Sequence, residues 1–243
     1  MNFYAVIIGT EILNGRRVDK HFEFLKAELS KYGHELYASF VIKDDVKLIK
    51  NIYTLVKADK EGILFSFGGI GSTPDDLTRS IAADVFTAKD LLRHPEFEKD
   101  IKERFGDAAY PHRILMSDLP QGSNLLFNPI NNMSGFSLKD KFFFVPGFPQ
   151  MAHPMLSKVI KRLFSKKIKK YRLTLLAKTS ENTLIDIMKK IPSDIELSSL
   201  PILNKDNISV EISLSSTDYL HVEKNFKLFT DFLNTSKITY NLI

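Results

Sequence analysis

The clearest structural signal in the chain is the stretch Gly62-Ile63-Leu64-Phe65-Ser66-Phe67-Gly68-Gly69-Ile70-Gly71-Ser72-Thr73-Pro74-Asp75-Asp76-Leu77-Thr78. Its apolar first part, Gly62–Phe67, is typical of a buried strand, and three glycines follow within four positions. Thr73 and Pro74 predict a helix start, with the threonine as N-cap and the proline in the first turn. A strand, a glycine turn and a helix N-terminus together favour an anion site, because backbone N–H groups can approach a phosphate closely there.

Two carboxylates, Asp75 and Asp76, follow the glycines and are candidate catalytic and metal-binding residues. Alone they would repel a phosphate, so they favour a site in which Mg²⁺ or another divalent metal lies between them and the phosphate. The alternative is a helix start whose acidic residues only complement the helix dipole. Candidate phosphate-binding residues share a backbone N–H or hydroxyl donor: Gly68, Gly69, Gly71, Ser72 and Thr73.

Around this stretch, apolar runs and helical spacings alternate along the chain. Strands are predicted at residues 3–8, 35–42 and 62–67, and amphipathic helices at 18–32, 46–56 and 77–85. This order favours an α/β fold of three layers, with helices on both faces of a mostly parallel sheet. A charged helix is predicted at 91–106, a polar loop at 107–121, strands at 124–128 and 142–145, and a helix at 150–164.

Further candidate site residues follow the ends of predicted strands, where ligands of open α/β sheets bind. Glu11 follows the first strand as a candidate base, and a solvated turn carboxylate is the alternative. Asp44 follows the second strand, where a carboxylate can bond ribose hydroxyls, while capping of the next helix is the alternative for Asp44 and Asp45. Thr78 either orients Asp75 or is an ordinary helical threonine.

Two pairs of small or turn-forming residues, Ser134-Gly135 and Pro146-Gly147, are predicted to shape the pocket by close approach of the backbone. Simple turns are the alternative for both pairs. The six histidines show no metal-ligand spacing and are interpreted as surface or turn residues.

The composition limits the chemistry. The 243 residues include no cysteine, which excludes disulfides, thiolate catalysis and cysteine-ligated metals. No apolar run approaches 18 residues, so no membrane span is expected. Met1-Asn2-Phe3-Tyr4 lacks the features of a signal peptide, and a cytoplasmic protein is expected.

The net charge of +5 is local rather than general. Eight of the 34 basic residues lie within residues 158–172, which contain no acidic residue. A solvated helix end and linker is the favoured interpretation, so nucleic acid is not an expected partner. A domain boundary is predicted near residues 166–170, between a domain at 1–168 and a small α+β domain at 169–243.

Three motifs in order carry a family resemblance: Gly9-Thr10-Glu11-Ile12-Leu13-Asn14-Gly15, the stretch from Gly68 to Thr78, and Pro146-Gly147-Phe148-Pro149. The chain resembles molybdopterin-binding (MoaB/Mog-like) domains, in the branch of the competence/damage-inducible protein A (CinA) N-terminal region. Two departures are present. Gln150-Met151 stands where the family often has a glutamate before a methionine, and Val18-Asp19-Lys20-His21 stands where it often has Asp-Thr-Asn.

The resemblance implies a three-layer α/β fold, a phosphorylated nucleotide or pterin as ligand, and a homo-oligomer. Some relatives hydrolyse the pyrophosphate of ADP-ribose or FAD with a divalent metal, and others insert molybdenum or adenylate molybdopterin. A metal-dependent nucleotide pyrophosphatase is therefore the expected function. A molybdopterin-binding protein of molybdenum cofactor metabolism and a non-catalytic binding module are the alternatives.

Overall fold

The computed structural model describes residues 1–204 and 207–243, which form two compact units, Met1–Lys167 and Ile168–Ile243. The strands are β1 Asn2–Ile8, β2 Leu36–Ile42, β3 Gly62–Phe67, β4 Leu91–Arg93, β5 Asp118–Pro120, β6 Asn124–Leu126, β7 Gly135–Leu138, β8 Phe142–Val145, β9 Tyr171–Ala177, β10 Glu196–Asn204, β11 Asn207–Ser216 and β12 Tyr240–Leu242. The α-helices are α1 Thr10–Leu13, α2 His21–Ser30, α3 Val46–Ala58, α4 Thr78–Ala82, α5 Pro95–Phe105, α6 Pro149–Phe164, α7 Ile185–Met188 and α8 Tyr219–Thr235.

The first unit is built on a six-stranded sheet with the order β2-β1-β3-β8-β7-β6. Strands β2, β1, β3 and β8 are parallel to one another, while β7 and β6 extend the sheet antiparallel. The predicted α/β fold with a mostly parallel sheet is confirmed. Parallel strands end at the same edge of a sheet, so β1, β3 and β8 bring the segments that follow them together.

Helices cover both faces of this sheet, and β1 shows why. Its alternate residues Tyr4, Val6 and Ile8 pack in one apolar cluster with α3 and α5. Phe3, Ala5 and Ile7 pack in the other with α2 and α6. A strand buried on both faces has no polar side, which explains the continuous apolar run in the sequence.

The region from Leu91 to Gln121 differs from the prediction. The predicted charged helix begins only at Pro95, because Leu91–Arg93 pairs antiparallel with Asp118–Pro120. The predicted polar loop contains β5 and two 3₁₀ turns, Gly106–Ala109 and Arg113–Ser117. The two strands follow from pairing between residues that are far apart in sequence, which local patterns do not encode.

The second unit has the element order βαββαβ and an antiparallel sheet with the order β10-β11-β9-β12. Helix α8 packs on it through Val222, Phe226, Phe229 and Leu233. The small α+β domain expected at the end of the chain is therefore present. Among the described residues of both units, none of the helices has the length and hydropathy needed to cross a bilayer.

Candidate functional site

A cleft of about 560 Å³ opens at the edge where β1, β3 and β8 end. Most of the residues predicted from the sequence line it: Glu11, Asp44, Gly68, Gly69, Gly71, Ser72, Thr73, Asp75, Asp76, Ser134, Pro146 and Gly147. Thr78 and Gly135 lie outside its lining. The three sequence motifs are thus brought to one place by the order of the strands.

The turn that follows β3 requires glycine at two positions. Gly68 and Gly69 have φ angles of +96° and +67°, which residues with a Cβ rarely adopt. A Cβ at Gly68 would lie 2.5 Å from the carbonyl oxygen of Ile8. A Cβ at Gly69 would lie 2.5 Å from the Thr78 hydroxyl. The turn therefore packs directly on β1 and on the start of α4.

The carbonyl groups of this turn accept hydrogen bonds from Thr78 and Arg79. The Thr78 hydroxyl donates to the carbonyl of Gly68 at 2.9 Å, and the Thr78 N–H donates to that of Gly69 at 2.9 Å. Arg79 donates to the carbonyl of Gly71 at 2.6 Å. In a trans peptide the N–H points opposite to the C=O. The amides that follow these carbonyls, at Gly69, Ile70 and Ser72, therefore turn away from Thr78 and Arg79, which leaves donors for an anion.

The helix predicted to start at Thr73 starts later, at Thr78. The Asp76 carboxylate accepts hydrogen bonds from the Thr73 N–H at 2.8 Å and the Thr73 hydroxyl at 2.6 Å. The Asp76 N–H donates to the Thr73 carbonyl at 3.0 Å, which closes a turn. The Thr73 hydroxyl thus acts as a donor to Asp76 and not as a helix cap. Neither Asp75 nor Asp76 lies in the first helical turn, so dipole compensation is not their role.

The two carboxylates differ in their surroundings. Asp75 is exposed, and the polar groups beside it, first the Thr73 side chain and then its own backbone N–H, hold its pKa below the ordinary value, so it is ionised at neutral pH. One oxygen of Asp76 is engaged with Thr73, while the other is not part of those bonds. No cluster of three or more acidic or histidine side chains that could hold a metal was found in the described part of the chain. Asp75 and Asp76 are the residues that could hold a cation such as Mg²⁺, which takes one or two carboxylates and completes its shell with water and phosphate oxygens.

Arg79 is a residue that the sequence analysis missed. It is only 9% exposed, and burial lowers its pKa, an effect opposed by the charges of Asp76 and Asp118. Besides Gly71, its guanidinium donates to the carbonyls of Leu115 and Asp118, while its Nε has no partner. The buried positive charge of Arg79 therefore lies next to the glycine turn, on the side of the Gly71 carbonyl. The basic position after Thr78 was visible in the sequence, but its burial was not.

Asp44 and Asp45 have separate roles. Asp45 is the N-cap of α3 and accepts from the Leu48 N–H at 2.7 Å. Asp44 lines the cleft, but its carboxylate accepts from the Thr10 N–H at 3.0 Å and from the Thr10 hydroxyl at 2.9 Å. Asp44 thereby fixes the start of α1, which carries Glu11. Glu11 lies over Gly9, where a Cβ would be 3.0 Å from one of its carboxylate oxygens.

Close backbone approaches occur at Gly147 and Gly135, but Gly135 does not line the cleft and so does not shape the pocket directly as predicted. A Cβ on Gly147 would lie 3.4 Å from the Cα of Gly68, so the segment after β8 touches the glycine turn. Gly135 is buried within β7, where a Cβ would lie 2.3 Å from the Phe144 carbonyl oxygen. Ser134, beside it, is 5% exposed and lines the cleft.

Two histidines, His21 and His153, form a pair next to the cleft. The interpretation of all six histidines as surface or turn residues is wrong for His21 and His34, which are buried. His21 stacks on Phe67 with ring centroids 4.2 Å apart, and its Nε2 lies 3.2 Å from the Gly147 carbonyl oxygen. His153 Nε2 lies 3.2 Å from His21 Nδ1. Burial lowers the pKa of His21 and lowers that of His153 to about 4, so both rings are neutral at neutral pH.

The part of the chain that forms this cleft is similar to a family of known proteins. Residues 4–166 match the family model described as "Probable molybdopterin binding domain". The chain belongs to this family. The resemblance drawn from the sequence motifs is confirmed.

Individual members are similar over the same part of the chain. A CinA-like protein of Nostoc punctiforme is 30% identical over 162 residues, which cover 64% of this chain and 38% of that protein. One of Acaryochloris marina is 32% identical over 158 residues, covering 62% and 37%. A crystal structure of Thermoplasma acidophilum CinA, described as of unknown function, matches with a TM-score of 0.59 and 26% identity, covering 67% of this chain and 98% of that chain. The aligned part thus spans less than half the length of the Nostoc punctiforme and Acaryochloris marina proteins.

Proposed function

We propose that this molybdopterin-binding family member binds a phosphorylated small molecule at the glycine turn and hydrolyses a nucleotide pyrophosphate such as ADP-ribose or FAD. The observation that carries the proposal is the juxtaposition, in one cleft, of a turn with free N–H donors and two carboxylates that do not cap a helix. Donors alone would favour simple anion binding. Carboxylates beside them favour phosphate held together with a metal.

In this proposal the chain's own groups have distinct tasks. The N–H groups of Gly69, Ile70 and Ser72 bind the phosphate oxygens, and Arg79 adds a positive potential from behind the turn. Asp75 and Asp76 would hold Mg²⁺ or another divalent metal, which when bound neutralises phosphate charge and lowers the pKa of water. Glu11 accepts the proton of the attacking water. The new P–O bond forms as the bridging P–O bond breaks, which yields two phosphate monoesters.

Chromatography of ADP-ribose and FAD incubated with the purified chain, with and without Mg²⁺ or Mn²⁺, tests this function. Cleavage is expected only with metal. Asp75→Asn removes an exposed carboxylate that supports little of the fold, so turnover should fall on the order of 100-fold while the thermal midpoint is unchanged. Asp186→Asn, an exposed carboxylate of the second unit, is the matched control and should turn over like the unmodified chain. Full activity of Asp75→Asn would contradict the proposed role of the carboxylates.

Molybdopterin binding is the second candidate, and the description of the matching family model favours it. Here the terminal phosphate of the pterin would occupy the same turn. The fluorescence of pterin released from the purified chain by denaturation distinguishes the candidates. Pterin in near-equimolar amount, with no cleavage of either dinucleotide, would favour this candidate over the hydrolase.

A non-catalytic module that contacts nucleic acid is the remaining alternative, motivated by the basic residues 158–172. Such binding would weaken steeply as salt is added. A salt titration of the intact chain with a labelled oligonucleotide separates it from the other two candidates.

A further inference from the structure

The cleft contains an aromatic side chain that neither the fold nor the proposed chemistry uses. Phe148 is 47% exposed although it lies directly after Gly147, the residue that touches the glycine turn. It lines the cleft and lies outside the apolar clusters of the described residues of this unit. A half-exposed phenylalanine that is not needed for packing leaves apolar ring surface open to a ligand.

An arginine is positioned at this ring. The guanidinium carbon of Arg17 lies 5.8 Å from the centroid of the Phe148 ring, and Arg17 also lines the cleft. The segment that carries Arg17 is fixed, because the Arg17 N–H donates to the Glu11 carbonyl at 3.0 Å. Arg17 lies between α1 and α2, and Phe148 follows β8, so two distant segments place a guanidinium beside an aromatic ring. The ring is next in sequence to Gly147, which touches Gly68.

We propose that Phe148 and Arg17 form a stacking platform for the planar heteroaromatic ring of the phosphorylated ligand. The inference rests on the proposed phosphate site and adds a specificity element to it. A ring stacks on an aromatic side chain or a guanidinium plane through its π face, which adenine, flavin and pterin all have. The platform therefore selects for a flat ring attached to the phosphate and against phosphorylated compounds without one.

Charge and position agree with this assignment. The phosphate of such a ligand would lie on the N–H groups beyond Gly68, and its ring would lie at the neighbouring Phe148. Arg17 also brings a positive charge to the cleft, whose other charged side chains include Arg113 and the acidic Glu11, Asp44, Asp75 and Asp76. Together with Arg113 it offsets the acidic lining, which favours an anionic ligand.

Calorimetry with two non-hydrolysable probes tests the platform in the intact chain with Mg²⁺. Methylenebisphosphonate has the phosphate part alone, and α,β-methylene-ADP adds a ribose and an adenine ring, of which Phe148→Leu removes only the stacking on the ring. The ring-bearing probe should bind at least about tenfold more tightly to the unmodified chain, within the range known for a base stacked on an aromatic side chain. Phe148→Leu should lose about tenfold in affinity for α,β-methylene-ADP and keep its affinity for methylenebisphosphonate, which also shows that the variant is folded.

Phe127→Leu is the matched control, because Phe127 is 56% exposed and has the amine of Lys158 5.3 Å from its ring centroid, yet does not line the cleft. It should bind both probes like the unmodified chain. Equal affinity of the unmodified chain for both probes, or an unchanged affinity of Phe148→Leu for the ADP analogue, would overturn the platform and leave the phosphate site standing. Failure of both probes to bind would instead overturn the phosphate site, and the platform with it.

Discussion

At the scale of single residues, the site depends on a glycine, Gly68, where the absence of a Cβ atom permits the local backbone conformation. Gly68 has a φ of +96°, and a Cβ there would lie 2.5 Å from the Ile8 carbonyl oxygen. Any other residue at this position would therefore have both a strained backbone and a steric clash. Gly68 was predicted from the sequence because glycines directly after a strand permit positive φ angles and close approach of the backbone. Sequence reasoning did not identify Arg79, because burial of an arginine depends on Leu115 and Asp118, which are 36 and 39 positions away.

Gly68→Ala is predicted to lower the free energy of unfolding by about 2 kcal/mol or more, because it adds a steric clash to a strained φ. Gly122→Ala is the control, since Gly122 has a φ of +84° but nothing within 4 Å of the added Cβ. It should cost about 1 kcal/mol, from the backbone alone. Urea unfolding of both variants measures the difference. Equal losses would show that the turn can move away from β1.

At the scale of elements, local patterns predicted the buried parallel strands well, missed the short strands β4, β5 and β7, and misplaced the starts of α4 and α5. β3 and β8 have the bounds expected from their apolar runs. The start of α4 was misplaced because the Thr73 hydroxyl donates to Asp76, a choice of hydrogen bond that the residue types alone leave open. The contact between α2 and α6 was also missed, since His21 and His153 are 132 positions apart.

This histidine pair predicts a pH dependence of stability. The folded chain lowers the pKa of both rings, that of His153 to about 4, whereas histidine in an unfolded chain titrates near 6.5. Between pH 6.5 and 4 the unfolded chain binds more protons, so the free energy of unfolding falls as the pH falls through this window. Well above pH 6.5, where both rings are neutral in the folded and in the unfolded chain, these groups contribute no slope.

His153→Gln should show a smaller fall in the thermal midpoint across the same window, measured in matched buffers at constant ionic strength. His112→Gln, at an exposed position, should keep the full slope of the unmodified chain. An unchanged slope in His153→Gln would mean that other groups cause the acid sensitivity. Among groups near the pair, Asp19 is the one whose charge opposes the lowering of both pKa values.

At the scale of the whole molecule, each unit has an apolar core of its own. The lining of the cleft, from Ile8 to Met151, belongs entirely to the first unit. Composition and element order were enough to predict the fold class, because a βαβαβα pattern has few packed solutions. Association into a homo-oligomer stays a prediction, which sedimentation velocity of the intact chain would check.

A chain truncated after Lys167 is predicted to fold and to bind methylenebisphosphonate with Mg²⁺ within about threefold of the intact chain, since all lining residues are retained. Circular dichroism melting and calorimetry measure this. A cooperative melt with lost binding would show that the second unit contributes to the site. A truncated chain without a cooperative melt would show that the first unit depends on the second for its stability.

The hydrogen bonds that Thr78 and Arg79 donate to the glycine turn have a consequence for how the site depends on the rest of the chain. Thr78 and Arg79 hold carbonyls only 10 and 8 positions earlier in the chain. The entropy lost in closing so short a loop is small and grows only slowly with length. These hydrogen bonds are thus local in sequence, although the turn also packs on Ile8 and the Arg79 side chain is held by the carbonyls of Leu115 and Asp118. A single residue inserted between Gly71 and Thr78 separates the donors from the carbonyls they hold.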